Sequence, residues 1–279
     1  MNVKTNKIYL ATPPVKWWSF ISKQFYSFDR FVDLMFSLKM IVSKKNAYGF
    51  LRMHKKPDEA LFNYKGINFK ARKKDWLAVR EVLIEDEYFF IEKIISADED
   101  CYVLDLGGNI GCFALKVLAH NSMAKVVSVE ASPATFTILA KNCKLNNNYT
   151  WKALEYAVWR DNETVYLECM DEPLSTHVLE KSGGIECQSI GLKTIIDEHC
   201  DAVPKLIKMD IEGAEMIVLP ESMDVFKDVS YLIVEFHDNS SDVKKILDQL
   251  DGLYQYRIEF GSRLSKNRLY CFSRIELVL

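Results

Sequence analysis

The chain has 279 residues, of which 49% are hydrophobic and 27% charged. That fits one large domain, or one domain with an appendage, and it argues against a disordered or fibrous chain. Thirty-six Lys and Arg against 39 Asp and Glu leave a formal net charge of −3, which gives no electrostatic footprint for general nucleic-acid binding.

The seven cysteines are Cys101, Cys112, Cys143, Cys169, Cys187, Cys200 and Cys271. Their number is odd, none forms C-x-x-C, and most lie in apolar runs. They read as buried free thiols in a reducing, cytoplasmic setting, not as a disulfide framework or a zinc site.

Residues 1–45 differ in character from the rest. Aromatic and aliphatic residues from Trp17 to Leu38 alternate with charges, and Lys23, Asp29, Arg30, Asp33 and Lys39 interrupt any eighteen-residue apolar span. A transmembrane helix is therefore not expected. The apolar core and small-residue cleavage site of a signal peptide are also missing. Two readings stand for this helical arm, taken as residues 1–58. One is a cap or dimer arm packing its aromatic face on the main domain, which would make the protein a homo-oligomer. The other is an interfacial helix resting on the inner face of a membrane through Lys16, Lys23, Arg30, Lys39, Lys44 and Lys45. The main domain is expected over residues 59–279, with a lead-in at 59–100 and a core at 101–279.

In the lead-in, residues 61–71 alternate apolar and polar about Lys65-Gly66, which is a β-hairpin signal. Asp75 then opens a helix with Trp76, Val79, Val82 and Leu83 on one face. The hairpin and helix are placed to lie over a ligand or to form the wall of the acceptor site.

The core opens with Tyr102 to Glu130. A short apolar run ends at Asp105 and breaks into Gly107-Gly108-Asn109-Ile110-Gly111. A helical segment follows, and a second apolar run stops at Glu130. Strand, glycine turn, helix, strand and terminal acid make the opening unit of a nucleotide-binding α/β domain. Glycines let the backbone bend and approach a ligand, and the helix start offers unpaired N–H groups. Glu130 lies nineteen residues past Gly111, near the roughly 20-residue offset at which a carboxylate meets ribose hydroxyls.

The dinucleotide fingerprint fails, because Asn109 and Cys112 stand where glycines would be needed. Asp105 also sits within the turn, where it would repel a pyrophosphate. S-adenosylmethionine carries a ribose, an ammonium and a sulfonium and no phosphate, so it suits this charge pattern better than NAD. A glycine turn without a ligand is the plain alternative. The agreement of turn, helix and terminal acid weighs against it.

Ser132-Pro133 starts the next helix, which ends at Asn146-Asn147-Asn148. Residues 151–159 supply a third strand and a connection, whose backbone at Ala157 is placed beside an adenine. Residues 163–167 and 190–192 read as short strands. The polar stretch 171–186 reads as a surface loop over the active side, and His177 within it as a solvated loop histidine.

Two later stretches carry chemistry. In residues 206–215 an apolar strand ends at Asp210 and a helix begins at Glu212-Gly213-Ala214-Glu215. Ligands of open α/β sheets sit outside the carboxyl ends of strands, so Asp210 and Glu212 point to the cleft of Asp105 and Glu130. Helix N-terminal electrostatics alone accounts well for Glu215, moderately for Glu212 and poorly for Asp210. Residues 229–237 form a buried strand ending Glu235-Phe236-His237. His237 is the best-placed histidine for general base work, with a structural histidine as its rival. A helix over 241–250 and a closing antiparallel hairpin over 254–260 and 268–275 complete the order βαβαβ(α)βαβαββ.

Four motifs in this order, Asp105-x-Gly107-x-Asn109-x-Gly111, Val129-Glu130-Ala131-Ser132-Pro133, Lys208-Met209-Asp210-Ile211-Glu212-Gly213-Ala214-Glu215 and Val234-Glu235-Phe236-His237, resemble the FkbM-type methyltransferases over residues 60–274. Gly108 and Ser132 depart mildly from that family's usual residues, and the N-terminal arm lies outside the resemblance. The resemblance implies a class I methyltransferase fold: a Rossmann-like, doubly wound, seven-stranded, mostly parallel sheet with a C-terminal antiparallel hairpin. It implies S-adenosyl-L-methionine as cofactor and O-methyl transfer to a hydroxyl-bearing acceptor. On this reading Asp105, Gly107, Asn109, Gly111, Glu130, Ala131 and Ala157 hold the cofactor. Asp105 takes the methionine end and Glu130 the ribose. His237, Asp210 and Glu212 are the candidates for catalysis, and the same three can instead hold a divalent metal. The acceptor is a sugar, glycan or glycolipid precursor, with a soluble natural product as the alternative. A non-catalytic binding protein of the same fold is the reading from another class.

Overall fold

The computed structural model describes residues 3–9, 59–97, 99–169, 176–179, 184–237, 240–261 and 268–277. Five strands form the centre of the main sheet. These are β4 (Tyr102–Leu106), β5 (Lys125–Glu130), β6 (Trp151–Glu155), β11 (Leu206–Met209) and β12 (Tyr231–Phe236). At one edge lie β13 (Tyr256–Gly261), β14 (Arg268–Ser273) and β1 (Lys4–Tyr9). The spatial order is β1-β13-β14-β12-β11-β4-β5-β6. All pairs are parallel except the two made by β14, which runs antiparallel between β12 and β13. From β6 to β13 this is the seven-stranded class I methyltransferase sheet expected from the sequence.

Two features differ from expectation. The sheet has an eighth strand, because Lys4–Tyr9 lies parallel beside β13 where a helical arm was expected. Strand pairing overrides the helical reading there, because β13 would otherwise leave a row of unpaired backbone groups. The aromatic run from Trp17 to Leu38 lies outside the described residues. The stretch 171–186 is also more than a loop. β9 (Thr176–Leu179) pairs with β8 (Thr164–Cys169), and Ile185 already begins β10 (Ile185–Gly191). With β7 (Ala157–Trp159) these strands form a separate four-stranded sheet in the order β7-β10-β8-β9. The side chain of His177 lies outside the described residues.

The central strands are short and buried on both faces, as a parallel sheet covered by helices requires. Side chains alternate between two cores. Val103 and Val126 face one core; Leu104, Leu106, Val127 and Val129 face the other. The first core is covered by α1 (Cys112–His120), α2 (Pro133–Leu145) and the hairpin of β2 (Glu59–Tyr64) and β3 (Ile67–Arg72). The second is covered by α3 (Leu192–His199), α4 (Glu215–Glu221) and α5 (Ser241–Asp251).

The hairpin turns at Lys65 (φ 45°) and Gly66 (φ 96°), the paired positive angles of a turn that matches strand twist. Asn142 of α2 locks it to the glycine turn after β4. Its side-chain N–H donates to the Ile110 carbonyl at 2.8 Å, and its Oδ1 accepts from the Lys70 amide at 2.7 Å. The order of strands reverses between β4 and β11, and the candidate residues lie at this switch point.

Candidate active site

The glycine turn is built to touch its own neighbours. Gly107 has φ +74°, and a Cβ there would lie 1.7 Å from the Asp210 carbonyl oxygen. Gly111 has φ +94°, and a Cβ there would lie 2.4 Å from the Trp151 ring. The turn therefore presses on β11 at one end and on β6 at the other, and no side chain fits at either place.

Glu130 ties the turn to the loop after β5. Its Oε2 accepts from the Asn109 amide at 2.9 Å and its Oε1 from the Ser132 amide at 2.8 Å. Asn109 holds left-handed backbone (φ 49°) and caps the next amide, that of Ile110, with its own Oδ1 at 2.7 Å. Burial pushes the Glu130 pKa up to about 7, against the pull of its two amide hydrogen bonds. Each carboxylate oxygen keeps a second acceptor position, so Glu130 can take ribose hydroxyls while holding the turn.

Asp105 lies deeper than the sequence suggests. It is fully buried. Its Oδ2 accepts from Ser128 Oγ at 3.0 Å, and its Oδ1 is buried without a hydrogen-bond partner. Ala131 is half-buried and packs with Ala157, Trp159 and Cys187 of the second sheet and with Ala214. That sheet therefore packs at the end of β5 and over the segment after β11.

On the other side of the switch point, the chain makes a tight turn after β11, with Glu212 at φ 55° and Gly213 at φ 99°. The helix expected from Glu212 starts at Glu215 instead. The side chain of Glu215 explains the turn. Its Oε1 accepts from the Ile211 amide at 2.7 Å and its Oε2 from the Gly213 amide at 2.8 Å. Glu215 is fully buried and also lies 3.3 Å from His237 Nδ1. With Nδ1 held there, His237 Nε2 faces Asp210 Oδ1 at 3.6 Å and Glu212 Oε2 at 3.5 Å. Burial pulls the His237 pKa down, but the Glu215 hydrogen bond and the charges of Asp210, Glu215 and Glu212 outweigh it and push it up to about 10. Burial pushes Glu212 up to about 7 in spite of the histidine.

The structure thus brings His237, Asp210 and Glu212 together at the carboxyl ends of β11 and β12. Glycine turn and Glu130 lie at the ends of β4 and β5. Three further residues belong to this arrangement. Glu215 orients His237. Lys208 joins the two halves. Glu87 is half-buried, and burial together with the Asp210 charge pushes its pKa up to about 7. Glu87 is carried on the acidic loop 85–88, whose Asp86 is in left-handed backbone (φ 63°) and pairs with the buried Lys116. The sequence offers no signal that sets Glu215 apart from an ordinary acid of a helix N-terminus.

Asp210, Glu215 and His237 offer donor atoms within 4.8 Å of one another, the spacing of a cation site. Several of those atoms have other partners: both Glu215 oxygens accept backbone amides, and Asp210 Oδ2 lies 3.1 Å from the Lys208 ammonium. A base held by an orienting carboxylate accounts for the same atoms.

Residues 105–262 match the family described as the methyltransferase FkbM domain. The chain belongs to the FkbM methyltransferase family. Hexuronic acid methyltransferase AglP of Haloferax volcanii is 27% identical over 159 residues, covering 55% of this chain and 64% of the relative. The alignment thus spans less than two thirds of that relative's length. Methyltransferase 1 of Beauveria bassiana is 25% identical over 193 residues, covering 58% of this chain and 76% of the relative. The crystal structure of the SAM-dependent methyltransferase from Agrobacterium tumefaciens shares 12% identity at a TM-score of 0.48, covering 79% of this chain and 71% of that one. The fold assignment rests on the strand order of this chain, not on that superposition.

S-adenosyl-L-methionine is the cofactor of the FkbM methyltransferase family to which the chain belongs. The residues present fit it. Glu130, Asp210 and Glu212 are half-buried at strand ends on either side of the switch point, and their carboxylates suit hydroxyls and a cation. A pyrophosphate would meet those carboxylates, and the Lys208 cation is already shared between acids. Replacing Glu130 by Ala removes charged acceptors worth about 1.5–3 kcal/mol each. The expected result is a loss of about tenfold or more in S-adenosylhomocysteine affinity by calorimetry.

Proposed function

We propose that this FkbM-family protein methylates a hydroxyl of a sugar, in a glycan or glycolipid precursor, with His237 as general base. The observation that carries the proposal is the 3.3 Å contact between His237 Nδ1 and Glu215, which leaves Nε2 facing Asp210 and Glu212. A name that specifies a hexuronic acid in one relative supports a sugar acceptor. A soluble natural product is the alternative acceptor.

S-adenosylmethionine, when bound, supplies an electrophilic methyl group on sulfur. The residues of the chain do the rest. Glu130 and the turn from Gly107 to Gly111 hold the ribose side, and Asp105 supports the methionine side from within the sheet. The backbone near Ala131 and Ala157 borders the adenine. Asp210 and Glu212 take the acceptor's hydroxyls and hold its reacting oxygen near His237. Holding two reactants in line supplies at most about 7–11 kcal/mol of barrier reduction. A base that takes the hydroxyl proton adds about 10²–10⁴-fold.

The acid-base state of His237 sets the pH dependence. With a pKa near 10, His237 is an imidazolium at neutral pH, and base work needs the neutral ring. Turnover should rise about tenfold per pH unit as pH climbs toward 10. Stability should move the other way. The pKa is raised from 6.5, so the stabilisation from charged His237 is complete below about 6.5 and lost as pH rises through about 10. A turnover profile flat above pH 7 would transfer the base role to Glu212 or Asp210.

Among the described residues no helix is long and apolar enough to cross a membrane, and the cysteines described are free thiols. We carry the cytoplasmic setting, and a peripheral membrane contact or oligomer contact through residues 1–45, as parts of the same proposal. The test of the function is transfer of a ¹³C-labelled methyl group from S-adenosylmethionine to a panel of neutral, amino and uronic sugars. A methoxy resonance in the product is expected. An N-methyl or C-methyl signal would contradict O-methylation.

A further inference from the structure

A row of polar side chains crosses the middle of the buried sheet. Lys208 of β11 is in register with Asp105 of β4, and Asp105 with Ser128 of β5. All three are buried on the same face of the sheet. Trp151 Nε1 donates to Ser128 Oγ at 3.0 Å, and Ser128 Oγ donates to Asp105 Oδ2 at 3.0 Å. At the other end of the row the Lys208 ammonium donates to the Gly107 carbonyl at 2.9 Å. It lies 3.1 Å from Asp210 Oδ2 and 3.7 Å from Asp105 Oδ1.

A buried ammonium is costly unless its donors are used, and these partners lie on both sides of the switch point. Gly107 belongs to the cofactor turn. Asp210 belongs to the acceptor side. Asp105 supports both from within the sheet. Residues in regular strands could have joined β4 to β11 with aliphatic side chains, as Ile207 and Leu104 do on the opposite face. The charge is needed only if the ends of the strands must be held in one relation.

We propose that Lys208 is a positioning residue for methyl transfer, holding the cofactor turn and the acceptor-side Asp210 at a fixed separation. This rests on the reading of the cleft as a methyl-transfer site. Lys208 touches no reacting atom. It acts through the Gly107 carbonyl and the Asp210 carboxylate.

The test separates this role from simple charge balance within the core. Lys208→Met leaves the Asp105 carboxylate buried without a counter-ion and should lower the urea midpoint of unfolding. The double variant Asp105→Asn with Lys208→Met removes that stranded charge and should regain stability, as Asp105→Asn alone provides the reference. S-adenosylhomocysteine is then titrated into wild type, Asp105→Asn and the double variant. The positioning role predicts that the double variant binds about tenfold or more weakly than Asp105→Asn, with both variants folded by urea unfolding. Equal affinity of those two would show that Lys208 only balances charge and would overturn the proposal. If Lys208→Met fails to fold, the comparison of the other two still decides. Wild type that binds no S-adenosylhomocysteine would overturn the methyl-transfer reading itself, and the proposal with it.

Discussion

Replacing His237 by Ala should lower turnover about 10²–10⁴-fold while leaving S-adenosylhomocysteine affinity within a factor of about two. The asymmetry follows from position. His237 follows β12, beyond β11 from the glycine turn, and among the described residues its polar partners are Glu215, Asp210 and Glu212. None of its contacts reaches Glu130 or the amides of the cofactor turn. Replacing Glu215 by Gln should give a related but different result. Gln keeps one carbonyl oxygen for a backbone amide, but it turns an N–H₂ group toward a second donor or toward the imidazole. In either orientation His237 loses its charged partner, so turnover should fall while stability also drops. Residues that act as one unit are not additive. The double variant should therefore be about as slow as His237→Ala alone. Purified variants assayed for turnover and for calorimetric binding would separate the two effects. Loss of cofactor binding in His237→Ala would place the histidine in the cofactor site instead.

Gly107→Ala should be strongly destructive for a single added methyl. The added Cβ would sit 1.7 Å from the backbone oxygen of Asp210 and 2.8 Å from its carbonyl carbon. Backbone cannot swing aside as a flexible side chain can. Left-handed φ adds about 1–2 kcal/mol for any residue with a Cβ. The turn must separate from β11, which breaks the Lys208 bond to the Gly107 carbonyl as well. A loss above about 4 kcal/mol, in the exceptional range for one substitution, is expected in urea unfolding, together with loss of cofactor binding. Gly66→Ala is the control. It shares a positive φ, 96°, but nothing lies within 4 Å of the added methyl. It should cost only the conformational term of about 1–2 kcal/mol. Equal losses in both variants would mean that conformation, not the close approach to β11, sets the need for glycine at residue 107.

The fold was legible because its signals are local. Apolar runs end at acids, a glycine turn separates the first run from a helix, and Ser132-Pro133 marks the next helix start. Those features place β4, α1, β5 and α2 within a residue or two. The Lys65-Gly66 hairpin and the closing β13–β14 pair were legible for the same reason. The second sheet was legible only in part, through β8 and the end of β10. β9 and the start of β10 lie in a polar stretch whose strands are stabilised by pairing with β8, a partner that no local pattern announces. β1 was hidden likewise, because its pairing partner lies about 250 residues away along the chain.

In the site, Asp210, Glu212 and His237 were legible as polar groups at strand ends. The part each plays was not. Glu215 has the residue type that a helix N-terminus favours anyway, so nothing in the sequence marks it as the partner of a histidine twenty-two residues later. Lys208 stands in an apolar strand, Leu206-Ile207-Lys208-Met209, where a lone charge is noise until register shows Asp105 beside it. Asp105 looks exposed to the cleft from its place before the turn. Strand alternation instead turns it toward Ser128 and the interior.

The most direct measurement is calorimetric titration of the purified protein with S-adenosylhomocysteine, with NAD as control. The acid-lined cleft predicts saturable binding of S-adenosylhomocysteine and none of NAD. Binding of NAD, or of neither, would contradict the assignment of this cleft to a methyl donor.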